Sequence, residues 1–416
     1  MKKILFIIQS YPSEKSANVL CDEKVMKQLV GTGRYEVHCL CFKYFGQKYN
    51  EKIDGVYVHR WNRGLWWNIY TKAEFRTMSN SKLVIELHRL AMRVKQIVCI
   101  PIFPFYEPIV ALKYAKEAQK LNQKEQFDMV VAEHNGLDTI FAAWKLKQKN
   151  RSIKFMPIFW DAMSGGFRPK YLPAKYVDAK KHNLEVAILH DCDEAIMMQS
   201  HKRHIMNLYQ HDDVLKKIKF LDIPYLVEQK VVPTQMVFDN ENVNLVFAGN
   251  MSMRNPEYLL ALISASKKKN IVVHFFTEKM AHKKIMSIAQ KYDISIMLYD
   301  YIPHNELIKY LASADILVNF GVDNPNAISG KIFEYMGFLK PIVSTYFRDD
   351  EAVLPFLRKY PMALLIDERI PVDLQAGTFN NFIANIDKPA IAFSELRDVF
   401  KDNTPESYLQ EIEKLI

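Results

Sequence analysis

Between Ser329 and Glu334 the chain reads SGKIFE, and a short apolar run, KPIV, ends at Val343. A helix N-terminus leaves N–H groups without partners and carries about +0.5 of an elementary charge, so a helix opening here favours an anion. Ser329 and Gly330 would let backbone amides come close to that anion, and Lys331 would add a point charge. Glu334 lies one helical turn beyond Gly330, where a carboxylate can accept from two neighbouring hydroxyls. Phosphates gripped beside a ribose diol would suit a nucleotide-linked donor.

Other residues compete for chemical roles. His134 ends the apolar run FDMVVAEH, and Asp161 ends IKFMPIFWD before Ser164 and two glycines. For Asp161, helix capping is the stronger reading and a ligand role the weaker. Asp191 and Asp193 flank Cys192 at the entry to an apolar run, where a structural turn outweighs a metal site. The five cysteines, Cys21, Cys39, Cys41, Cys99 and Cys192, are scattered and have neither metal nor redox spacing. They read as reduced thiols in a cytoplasmic protein.

These residues need a scaffold. Apolar runs alternate with amphipathic stretches, which predicts α/β layers on parallel sheets. Strands are expected at Lys3 to Ile8, Glu36 to Phe42, Val56 to Trp61, Phe127 to His134, Ile153 to Asp161 and Asp193 to Ser200. Helical patterns run from Asn18 to Val30 and from Gly136 to Lys147. A looser stretch with two prolines, from about Pro224 to Asn242, reads as a linker. The alternation restarts at Asn242 to Asn250, Ile271 to Thr277, Ile294 to Tyr301, Ala314 to Phe320 and Lys340 to Thr345. The expected division is an N-terminal domain at 1–225, a linker at 226–241, a C-terminal domain at 242–390 and a packing helical segment at 391–416. Two Rossmann-like domains facing across a cleft would put ligands at strand exits.

Bulk properties narrow the partners. The chain has 416 residues, 49% of them hydrophobic, and a net charge of +9, which favours anionic partners. It carries no zinc-finger spacing and no aromatic RNA-binding signature, so nucleic acid is not expected. No apolar run approaches the roughly 20 residues that span a bilayer. The opening MKKILFIIQS has the basic-then-apolar look of a signal peptide, but without a small-residue cleavage site it reads as a first buried strand. From Arg60 to Pro108, tryptophans, cations and apolar residues interleave. That face fits a membrane interface as well as it fits packing on its own sheet.

The second half resembles the nucleotide-binding domain of GT-B fold glycosyltransferases, especially the retaining enzymes of glycosyltransferase family 4. NLVFAGN followed by Arg254, YIPHNELIKYLASADILV and SGKIFEYMGFLKPIV carry the likeness over about Asn242 to Thr345. The first half matches in outline only. The resemblance implies that Arg254 and Lys331 hold the donor diphosphate beside Gly249, Asn250, Ser329 and Gly330, and that Glu334 holds the ribose. It places the nucleobase near Thr277, Tyr301 and Ile302, and His134 near the transferred sugar. It further implies retention of anomeric configuration, no obligatory metal or other cofactor, and a glycan or lipid-linked acceptor.

Two departures stand out. A second glutamate that the family commonly carries eight residues before the ribose-binding one is here Asn326, which can bond a hydroxyl but cannot offset positive charge. The glycine-rich first loop is replaced by SYPSEKSAN, from Ser10 to Asn18. A sugar-nucleotide epimerase on the same scaffold and a non-catalytic nucleotide-sugar-binding subunit therefore stay open. A nicotinamide-dependent dehydrogenase is disfavoured, because QSYPSE rather than GxGxxG follows the first strand.

Overall fold

The structure is a computed structural model, and it describes every residue except 13–16, 75–79, 135, 162, 165–168, 170, 211, 231–236, 240, 269, 323–327 and 387–390. The chain divides into two compact units, one of Met1–Pro224 with Pro405–Ile416 and one of Tyr225–Thr404.

Among its described residues the first unit holds eight strands: β1 (Lys2–Ile7), β2 (Tyr35–Phe42), β3 (Asn50–Ile53), β4 (Val56–Trp61), β5 (Met129–Glu133), β6 (Lys154–Phe159), β7 (Ala195–Met198) and β8 (Ile218–Leu221). They lie in the order β3-β4-β2-β1-β5-β6-β7-β8, and every pairing except β3 with β4 is parallel. Parallel strands covered on both faces need apolar residues at successive positions rather than at alternate ones. KILFI supplies this in β1, where Ile4 to Ile7 are wholly buried. The core continues through Val130, Phe155, Phe159 and Ile140.

The second unit holds β9 (Val243–Ala248), β10 (Ile271–Phe276), β11 (Ser295–Tyr299), β12 (Ile316–Asn319), β13 (Ile342–Tyr346) and β14 (Ala363–Asp367). Their order is β11-β10-β9-β12-β13-β14, with all neighbours parallel. The order reverses at β9, because β10 lies on one side of it and β12 on the other. A reversal of this kind leaves a crevice at the carboxyl ends of the strands. Leu245, Phe247, Phe275 and Phe320 fill the core beneath it.

The segment expected to pack as one, 391–416, is divided between the units. The helix Phe393–Val399 belongs to the second, and the helix Pro405–Leu415 to the first. Within the first unit, the Tyr408 hydroxyl donates to the Asp222 carbonyl at 2.8 Å, and Glu413 pairs with Arg34. That pinning explains why a short amphipathic helix holds here: its apolar side is buried on its neighbours.

Candidate nucleotide-diphosphate site

The residues expected to grip a donor gather at the carboxyl end of the second sheet. Gly249 and Asn250 leave β9, Thr277 leaves β10, Tyr301 and Ile302 follow β11, and Ser329 and Gly330 precede the helix Lys331–Gly337. That helix comes after β12, so the loops at the reversal of strand order supply most of the set.

Gly249 shows why its residue type matters. A Cβ placed there would lie 2.0 Å from the Lys331 ammonium. The missing side chain is what lets Lys331 reach across to the exit of β9. The ammonium also stands 5.8 Å from the centre of the Phe247 ring. Burial, and then repulsion from the Arg254 guanidinium, push Lys331 down to about 8, against attraction from Glu334 and Glu278. Arg254 is itself lowered by burial. Its Nη1 donates to the Asn250 carbonyl at 2.8 Å, while its buried Nε has no hydrogen-bond partner among the described residues. Two half-buried cations that repel one another form an electrostatic well for a multiply charged anion.

Gly330 plays a different part from the one its motif suggests. Its φ of −56° is ordinary for a helix, so it is not needed for a left-handed turn. A Cβ there would fall 2.4 Å from Cε2 of Tyr225, so its bareness seats that ring. The helix is only seven residues long, so the side-chain cations contribute more of the field than its dipole. Tyr335 ties it to the sheet by accepting the Ala248 N–H at 3.3 Å.

Glu334 is buried, at 7% exposure, and its Oε1 lies 2.6 Å from Nε2 of His304. Glu278 binds the three strand-exit loops together. Its carboxylate accepts the Met251 N–H at 3.1 Å, the Thr277 hydroxyl at 2.6 Å and the Tyr301 hydroxyl at 3.4 Å. Partial burial pushes the Glu278 carboxyl up. Bonds from Thr277, its own amide and the Met251 amide outweigh that and hold it below the usual carboxylate range.

Sequence reasoning singled out neither His304 nor Glu278. His304 was in view within YIPHNEL, but nothing local says that a histidine thirty residues upstream meets Glu334. Glu278 directly precedes the helix Lys279–Tyr292, where an acidic residue reads as ordinary complement to a helix start. Asn326 lies outside the described residues.

His134 belongs to the first unit, just past β5. Its Nδ1 lies 3.1 Å from the Asp161 carbonyl, and burial lowers its pKa against that bond. Asp161 is exposed, with its Oδ2 3.5 Å from the Asn18 amide. Among the described residues the next helix begins only at Ala174, which corrects the capping expectation.

Asp193 accepts Lys147 at 2.9 Å and the Phe155 N–H at 2.8 Å, and Asp191 accepts the Trp144 indole at 2.6 Å, so both carboxylates are committed to structure. Among the described residues one trio, Glu36, His38 and Glu125, brings its ligand atoms within 4.8 Å of one another. The Lys3 ammonium sits 2.9 Å from Glu36 and 3.1 Å from Glu125, so the trio already has its cation.

Solved structures share this fold. A glycosyltransferase from Rickettsia africae matches with a TM-score of 0.65 at 13% identity, covering 100% of this chain and 98% of its own. HepE from Anabaena, in complex with UDP and glucose, matches with a TM-score of 0.59 at 12% identity, over 100% and 99% of the two chains. The fold is GT-B. The lipopolysaccharide outer core galactosyltransferase WaaB also matches, with a TM-score of 0.51 at 11% identity, over 100% of this chain and 99% of its own. No protein-family model and no curated protein sequence matches this GT-B chain.

Proposed function

We propose that this protein is a glycosyltransferase that moves a sugar from a nucleoside-diphosphate donor to an acceptor hydroxyl. The observation that carries the reading is the half-buried pair Arg254 and Lys331, with Lys331 admitted by the bare Gly249. A GT-B protein that binds UDP and glucose supports the donor class.

In this reading the diphosphate lies against Arg254 and Lys331, and Glu334 takes the ribose hydroxyls with His304 fixing its carboxylate. The base lies along Thr277, Tyr301 and Ile302. As the glycosidic bond breaks, the anomeric carbon becomes cationic and the leaving diphosphate gains charge. Cations already in place lower that barrier without reorganising. The reading includes no obligatory metal or cofactor, retention of configuration, and a leaving phosphate that helps deprotonate the acceptor. The acceptor is a glycan or a lipid-linked glycan used in surface polysaccharide or glycoconjugate synthesis. The work is cytoplasmic, at the inner face of the membrane, with His134 beside the sugar.

Lys331→Ala tests it. Turnover with a verified donor should fall more than donor affinity does, because Lys331 meets growing charge. Unchanged turnover removes the assignment. A donor that is isomerised or hydrolysed without any acceptor would instead identify an epimerase, and tight donor binding without transfer a binding subunit.

A further inference from the structure

The helix Ser81–Val98 buries only Ser81. Such a helix inside a globular unit is unusual, since apolar residues at helical spacing ordinarily turn toward a core. Here Leu83, Leu87, Leu90, Val94, Ile97 and Val98 recur on one side at between 45 and 70% exposure. At about 100° per residue these six fall within an arc of roughly 100°. Lys82, Arg89 and Arg93, all exposed, form a row along one border of the arc, and Lys95 stands on the other border.

The opposite side of the helix is occupied. His88 accepts the Trp66 indole N–H at 3.1 Å and stacks on Tyr70 with ring centres 3.9 Å apart, which fastens it to the helix Leu65–Glu74. Lys95 pairs with Glu107 at 2.6 Å near the helix's end. The apolar arc is therefore held outward by contacts on the other side.

We infer that this outward face lies in the plane of an anionic lipid surface, its six apolar side chains in the acyl boundary and its flanking cations among the headgroups. Three observations select that occupant. The cations border the apolar arc, where long stems can lie along it while their charges reach headgroup phosphates. On that border Lys82, Arg89 and Arg93 stand against the single acidic Glu86, which pairs with Arg89, so the row stays net positive and complements a negative surface. No described helix is long and apolar enough to cross a membrane, so the helix lies on the bilayer and does not span it. A second copy of the chain fits less well. In an antiparallel two-fold pairing each border meets its own copy, which would set the Lys82–Arg89–Arg93 row against another such row. The anchor stands on this helix alone. That it brings the protein to a lipid-borne acceptor rests on the glycosyltransferase reading.

Co-flotation of the whole protein with phosphatidylcholine vesicles containing about 30% phosphatidylglycerol tests the inference. Wild type should float at low salt and should not float with phosphatidylcholine alone. The double variants Leu87→Gln with Leu90→Gln, and Arg89→Gln with Arg93→Gln, should each lose about tenfold or more in bound fraction. All four positions are exposed, so folding should persist, with circular dichroism as the check. Wild type that stays at the bottom of the gradient overturns the inference, as do variants that float like wild type. Light scattering that shows a dimer dissolved by the Leu87 and Leu90 changes would assign the face to a second copy instead. UDP affinity of both double variants should match wild type, so failure of the donor reading would show as absent UDP binding in a protein that still floats.

Discussion

Lys331→Met should make the empty second unit more stable while weakening, without abolishing, its ligand affinity. A lysine normally titrates at 10.5, and in this site Lys331 is held at about 8. At 1.36 kcal/mol per pH unit, that gap corresponds to a cost of about 3 kcal/mol for keeping the ammonium charged at pH 7. The direction follows from proton counts. Between pH 8 and 10.5 the unfolded chain binds the proton and the folded unit does not, so wild-type stability rises with pH across that window. Methionine keeps the stem and drops the charge, so its advantage should be about 3 kcal/mol at pH 7 and under about 1 kcal/mol at pH 10. All five tryptophans, Trp61, Trp66, Trp67, Trp144 and Trp160, lie in the first unit, so their fluorescence does not report this transition. Pulse proteolysis in urea, scored by mass spectrometry on fragments from 225–404, does. A variant no more stable than wild type at pH 7, or a gap that stays constant with pH, would refute the reasoning.

Gly249→Ala would put a Cβ on the Lys331 ammonium, so calorimetry should show UDP affinity at least about tenfold lower in a unit of near-normal stability, since the far end of lysine can swing away. Glu278→Gln removes a carboxylate whose attraction supports the Lys331 charge. Lys331 should then titrate below about 8, and the pH at which UDP affinity begins to fall should move down with it, as calorimetry between pH 6.5 and 9.5 would show. In the first unit, burial and then the neighbouring Glu133 carboxylate push Asp22 well above its usual range. A raised carboxyl makes stability decline as pH climbs from the unfolded value toward the folded one, and Asp22→Asn should flatten that decline in urea unfolding followed by tryptophan fluorescence.

The two sheets were legible because a buried parallel strand declares itself as an unbroken apolar run, as KILFI and NLVFA do. The nearness of Lys331 and Glu334 was legible for a different reason: they are three residues apart, so the helix alone brings them together. What escaped depends on contacts between distant residues. The value of Gly249 lies in Lys331, eighty-two positions on, and Gly330 is bare because of Tyr225, which precedes the expected domain. Glu278 looked like a helix-start acid because its three partners come from three loops. The C-terminal run reads as one amphipathic stretch, and no periodicity tells that its first helix belongs to one unit and its last to the other.

Proton uptake on nucleotide binding tests the central claim most directly. Titration calorimetry of UDP and GDP, repeated at pH 9 in buffers of different ionisation enthalpy, counts the protons taken up. A diphosphate seated on Lys331 must restore its charge, so uptake should approach one proton at pH 9, vanish near pH 6.5 and disappear in Lys331→Met. Binding with no uptake at pH 9, or undiminished in Lys331→Met, would contradict the account.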